Sequence, residues 1–97
     1  ASSYLRKEHF EAFTEAMEPD MQVGSVVYER GHASYLEMVI SQKDPAQVPA
    51  YVEQVRSSGI FREVSHTLWE KREDVDGWRV YSSVRGVLEQ GGQNEIQ

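Results

Sequence analysis

The sequence predicts an α+β domain of two layers, helices on one side and a sheet on the other. Three observations carry that expectation. Apolar residues recur at helical spacing in two separate stretches, residues 4–17 and 44–58. Each stretch is followed by two segments that alternate with a period of two and are rich in β-branched and aromatic residues. Gly59 stands between the second helical stretch and the strand after it, where a left-handed residue ends a helix. The resulting order, helix, strand, strand, helix, strand, strand, is one αββ unit used twice.

The first helix is expected from about Tyr4 to Met17, with Leu5, His9, Phe10, Phe13, Ala16 and Met17 on one side and Arg6, Lys7, Glu8, Glu11 and Glu15 around the rest. Ser2 or Ser3 is placed to cap it, and Pro19-Asp20 stops it. A strand follows in which Val23, Ser25, Val27 and Glu29 alternate with Gln22, Gly24, Val26, Tyr28 and Arg30. Arg30-Gly31-His32 reads as a short turn, with Gly31 free to take positive φ. From Ala33 to Ser41 the chain is extended again and apolar on both parities toward its end, as suits a strand inside a sheet.

The second helix begins near Asp44 or Val48. Asp44 can accept from the free N–H groups of a first turn, and Pro45 and Pro49 lack donors only where none is needed. Val48, Tyr51, Val52 and Val55 form its buried stripe. From Phe61 to Lys71, Val64, His66 and Leu68 share one parity and Ser65, Thr67 and Trp69 the other. Glu70 to Gly77 reads as a long charged loop ending in an Asp-Gly turn signal. In the last strand Trp78, Val80, Ser82, Val84, Gly86 and Leu88 face one way, and Arg79, Tyr81, Ser83, Arg85 and Val87 the other. Gly86 marks a bulge or a close approach. Residues 1–89 make one domain, and the tail 90–97 lacks the apolar content to fold. Two such units side by side give a four-stranded, mostly antiparallel sheet with both helices on one face. That is a ferredoxin-like sandwich in permuted αββαββ order.

Composition narrows the function. Ninety-seven residues support one core, and a net charge of −6 with scattered basic residues argues against nucleic acid. With no cysteine there is no disulfide, thiolate nucleophile or cysteine zinc site. The chain has no apolar run long enough to span a membrane. It begins Ala-Ser-Ser without Met, as an excised fragment whose anchor lies upstream would. The three histidines share no ligand spacing, Glu73-Asp74 and Asp76 lack the alternation of a calcium loop, and the Ser-Ser pairs lack a nucleophile elbow. No catalytic, cofactor or metal residue is therefore expected. Aromatic and basic side chains on the last two strands, Trp69, Arg79, Tyr81 and Arg85, are the candidates for contact with a protein partner.

One stretch carries a resemblance: Val48-Pro49-Ala50-Tyr51-Val52-Glu53-Gln54-Val55-Arg56-Ser57-Ser58-Gly59-Ile60-Phe61-Arg62-Glu63-Val64. With Ala16-Met17-Glu18-Pro19-Asp20 and the strand pair Ser25-Val26-Val27-Tyr28 and Tyr35–Ser41, it resembles the periplasmic ferredoxin-like domain of PilN-type assembly proteins of type IV pili, and in kind the inner-membrane components of type II secretion. Gly59, Phe61 and Val64 stand where that family has its glycine, phenylalanine and valine. The resemblance implies a structural, non-enzymatic module on the periplasmic side of the inner membrane, anchored by an upstream helix absent from this chain. It would pair with a like-folded, PilO-type protein or with itself as a dimer. A small-molecule or regulatory ligand-binding domain is the alternative, and an enclosed polar pocket near Arg79 or His66 would mark it.

Overall fold

The computed structural model of the chain describes residues 5–88, the side chain of Trp69 excepted. The expected Ser2 or Ser3 cap and the tail 90–97 lie outside those residues. The protein is α+β: helix α1 (Lys7–Thr14), strands β1 (Gln22–Glu29) and β2 (Tyr35–Gln42), helix α2 (Gln47–Ser57), and strands β3 (Glu63–Asp74) and β4 (Gly77–Val87). The sheet runs β1-β2-β4-β3, and every pairing is antiparallel.

Period decides which side of each strand is dry. Leu36, Met38 and Ile40 of β2 and Val84 of β4 point to one face with Val64 of β3. Phe13 of α1 and Val48, Tyr51, Val52 and Val55 of α2 join them in a single core. The two helices therefore lie on the same face of the sheet. They are tied together by the buried Tyr51 hydroxyl, which donates to the Phe13 carbonyl at 2.8 Å. Burial pushes the Tyr51 phenol far above its ordinary pKa, which keeps it a donor.

Local chemistry sets the ends of the helices. At the start of α1 the Arg6 N–H donates to His9 Nδ1 at 2.9 Å, so a ring at the third helical position does what Glu or Gln does in a capping box. Helix α1 is shorter than its apolar stripe: the chain beyond Thr14 tightens into turns, and Ala16 and Met17 still reach the core. Asp44 Oδ1 accepts from the Ala46 N–H at 3.0 Å, just ahead of α2. Gly59 follows α2 with φ +73°, as the sequence requires.

Three expectations are corrected. Glu70–Asp76 is not a long loop, because β3 runs to Asp74 and β4 starts at Gly77, whose φ of +108° lets a two-residue turn close the hairpin. Charged residues are tolerated in that strand because it extends past the covered part of the sheet. Gly31 does not take positive φ; that turn is instead braced by the Ser34 hydroxyl, which accepts from the Gly31 N–H at 3.2 Å. A register shift at Gly24 also moves Val23 onto the helix side with Val26, off the parity it shares in sequence with Ser25 and Val27.

Gly86 is a close approach and not a bulge. It lies in unbroken register with both neighbouring strands, and a Cβ there would sit 2.7 Å from the Phe61 ring. That ring cannot retreat, since Phe13 meets it edge-on at 5.2 Å and His9 at 5.3 Å between centroids. Gly86→Ala is expected to lower the thermal midpoint by roughly 5–15 °C, as overpacking of a tight core does, measured by circular dichroism melting.

His9 is 3% exposed, and desolvation holds its pKa below the ordinary 6.5. The unfolded chain then binds the proton more readily than the folded one. The contribution of His9 is intact above pH 6.5 and falls as pH drops toward the folded value. Denaturant titrations should show stability declining below pH 6.5 by at most about 1.4 kcal/mol per pH unit. His9→Gln, which keeps an acceptor and cannot titrate, should flatten that limb above pH 4.5 or so, before carboxylates take over.

Candidate functional site

Arg79 is expected from sequence on the free sheet face, yet it is 1% exposed. Its guanidinium closes the end of the sheet. Nε donates to Ser41 Oγ at 3.0 Å, and Nη2 to the Ser41 carbonyl at 3.0 Å and the Asp20 carbonyl at 2.6 Å. Nη1 donates to Asp76 Oδ2 at 3.0 Å and to Asp20 Oδ1 at 3.4 Å. Lys43 completes the cluster: its N–H donates to Asp20 Oδ2 at 2.7 Å and its Nζ to the Asp76 carbonyl at 2.8 Å. The Lys43 N–H, and then the Arg79 charge, hold the Asp20 carboxyl below the usual range. A planar fork with fixed donors suits such a crossing of three segments, and a lysine does not reproduce it.

Tyr81 and Arg85 do share the helix-free face, four residues apart on β4. Each is already engaged within the chain. The Tyr81 hydroxyl donates to Asp74 Oδ2 at 2.6 Å, the Arg72 guanidinium lies 4.5 Å from its ring centre, and Arg72 Nε donates to Glu70 at 2.6 Å. Hydrogen bonding to Tyr81 lowers the Asp74 pKa and raises that of the phenol. Arg85 donates from Nε to Glu37 Oε1 at 2.8 Å and stacks 3.8 Å from the centre of the Tyr35 ring. Trp69 is the extra residue of a bulge in β3, between Leu68 opposite Ser82 and Glu70 opposite Tyr81. The four candidates thus divide: Arg79 is internal, Tyr81 and Arg85 belong to two separate clusters of paired side chains, and the Trp69 side chain lies outside the described residues.

A ligand pocket has little to build on here. The depression at His66, lined by Ser65, Thr67, Ser83, Glu37 and Arg85, is shallow and open to solvent. Among the described residues no cluster of His, Asp or Glu could hold a metal ion, and no helix is long and apolar enough to cross a membrane.

None of the four candidate residues lies on β1. It is the last strand of the sheet on its side, so the backbone edge away from β2 has no strand beside it among the described residues. Of its residues Tyr28 is partly buried against the core, and the others are exposed. Val26 faces the helix layer opposite Met38 yet is 45% exposed, and Val27, on the other face opposite Glu37, is 46% exposed. Val23 is 44% exposed. The opposite edge, β3, is defended by Glu63, Glu70, Lys71, Arg72 and Glu73 and by its bulge, whereas the charge of β1 is confined to Glu29. That contrast is written in the chain: Gln22 to Tyr28 is uncharged and holds three valines.

Removing the internal cation tests the reading of Arg79. Arg79→Leu is expected to cost about 3 kcal/mol in urea denaturation, because the Ser41 and Asp20 carbonyls lose charged donors. Arg79→Lys should recover less than half of that loss.

In comparison with known proteins, the sequence matches no family model and no curated protein.

Proposed function

We propose that this domain is a non-enzymatic interaction module, a ferredoxin-like sandwich that docks through the free edge of β1 to a like-folded protein or to a second copy. The single observation behind the reading is an edge strand largely uncovered on both faces apart from Tyr28, with exposed Val23, Val26 and Val27 and no strand beside its outer backbone edge among the described residues. Strand addition satisfies such an edge with main-chain hydrogen bonds, and neighbouring side chains supply selectivity. The resemblance of the α2–Gly59–Phe61–Val64 stretch to PilN-type domains gives the setting. In that reading the domain belongs to a pilus or secretion assembly protein, on the periplasmic side of an inner membrane reached through an upstream helix. Tyr81 and Arg85 then serve as an outer rim and not as the centre of the contact, since the Tyr81 hydroxyl is already bonded to Asp74 and the Arg85 charge is already paired with Glu37. The ligand-binding alternative lacks support from Arg79, whose donors are spent on the fold, and from the open depression at His66.

The test is cross-linking in cells that make the parent protein. A photoreactive residue replacing Val27 should capture a ferredoxin-like protein or the parent itself, and one replacing Val75 at the exposed tip of the β3–β4 hairpin should not. Capture from the hairpin tip alone would defeat the proposal.

A further inference from the structure

Resting on the edge-docking reading, we infer that the occupant of β1 is a second copy of this chain, paired antiparallel about a two-fold axis at Val27. The axis stands perpendicular to the sheet, so both helix layers stay on one side and two four-stranded sheets become one continuous sheet.

The side chains of β1 select this register. Antiparallel partners point to the same face, so a two-fold relation must centre on a single residue and not between two. Centred on Val27, Val27 meets its own copy on the helix-free face, and Ser25 meets Glu29 of the second copy beside it. On the helix face Val26 meets Tyr28 of the second copy, an aromatic and a β-branched residue side by side, and symmetry makes that contact twice. Like charges stay apart: the two Glu29 residues sit four positions from each other along the ladder, roughly 14 Å. The pairing ends before Gly24, where the register of β1 with β2 already breaks. Centring on Val26 instead would bring that irregularity into the ladder opposite Tyr28 and set Val23 against Glu29. Pairing β1 with β3 of another copy would oppose it to the charged, bulged edge and would leave an open-ended array. Five residues of ladder make a small contact, so the isolated domain should dimerise weakly and depend on tethering for occupancy.

The absence of native cysteine makes the register directly readable. Under mild oxidation Val27→Cys should form a disulfide-linked species at twice the 11.1 kDa chain mass. Val26→Cys and Tyr28→Cys should each stay monomeric alone and cross-link when mixed. By sedimentation equilibrium, Val27→Lys should raise the dimer dissociation constant at least about tenfold, with an unchanged melting curve because the site is half exposed. Faster cross-linking through Val26→Cys alone, or a Val27→Cys protein that stays monomeric at about 1 mM, would overturn the two-fold pairing. If that failure is accompanied by capture of a different like-folded protein at position 27 in cells, self-pairing falls and the docking reading stands. If capture fails as well, both fall.

Discussion

Among the described residues two helices of eight and eleven residues supply most of the cover of this sheet. A helix rises about 1.5 Å per residue and a strand about 3.3 Å, so helices this short run only about 12 and 16 Å and leave much of strands of eight to twelve residues uncovered. Here they shield β2, β4 and the start of β3, where Leu36, Met38, Ile40, Val84 and Val64 are dry. The remaining strand is left largely wet on both faces apart from Tyr28, and β3 beyond its bulge is left to protect itself with charge. Most of what distinguishes the surface of this protein follows from that shortage of helix.

Much of the fold is legible in the chain because its strongest signals are local. Helical spacing of Val48, Tyr51, Val52 and Val55 and the left-handed Gly59 locate α2 without reference to anything distant. The failures arise where distant residues decide. Charged Glu70–Asp74 looks like loop when read alone, and it is strand because Trp78 to Tyr81 lies alongside and water reaches it. Arg79 has the alternation of a surface residue, and nothing nearby in sequence except Asp76 announces that Ser41 and Asp20 will close around it. Alternation also assumes an unbroken ladder, which the irregularities at Gly24 and Trp69 interrupt.

The candidate site was harder to read for a further reason. Aromatic and basic residues draw attention as contact groups, yet on this sheet they are used internally: Arg72 with Glu70 and Tyr81, and Arg85 with Glu37 and Tyr35. Exposed pairs of this kind contribute little to stability, but a group already paired must lose its partner before serving another. Plain valines on an uncovered strand carry no such cost. What marks β1 is the absence of the usual deterrents to association, and absence is easily missed along a sequence that holds lysine, arginine and tryptophan elsewhere.

The Arg79 cluster has a bearing on how β1 would meet a partner. Asp20, gripped through both its carboxylate and its carbonyl, lies two residues ahead of β1, while Ser41 and Lys43 hold the end of the strand beside it. The free edge is thereby anchored at its root and kept extended before anything binds. A strand held ready loses little conformational freedom on docking, which favours engagement. Such an edge is a ready template whose ordering is completed when the chain folds and not when another molecule arrives.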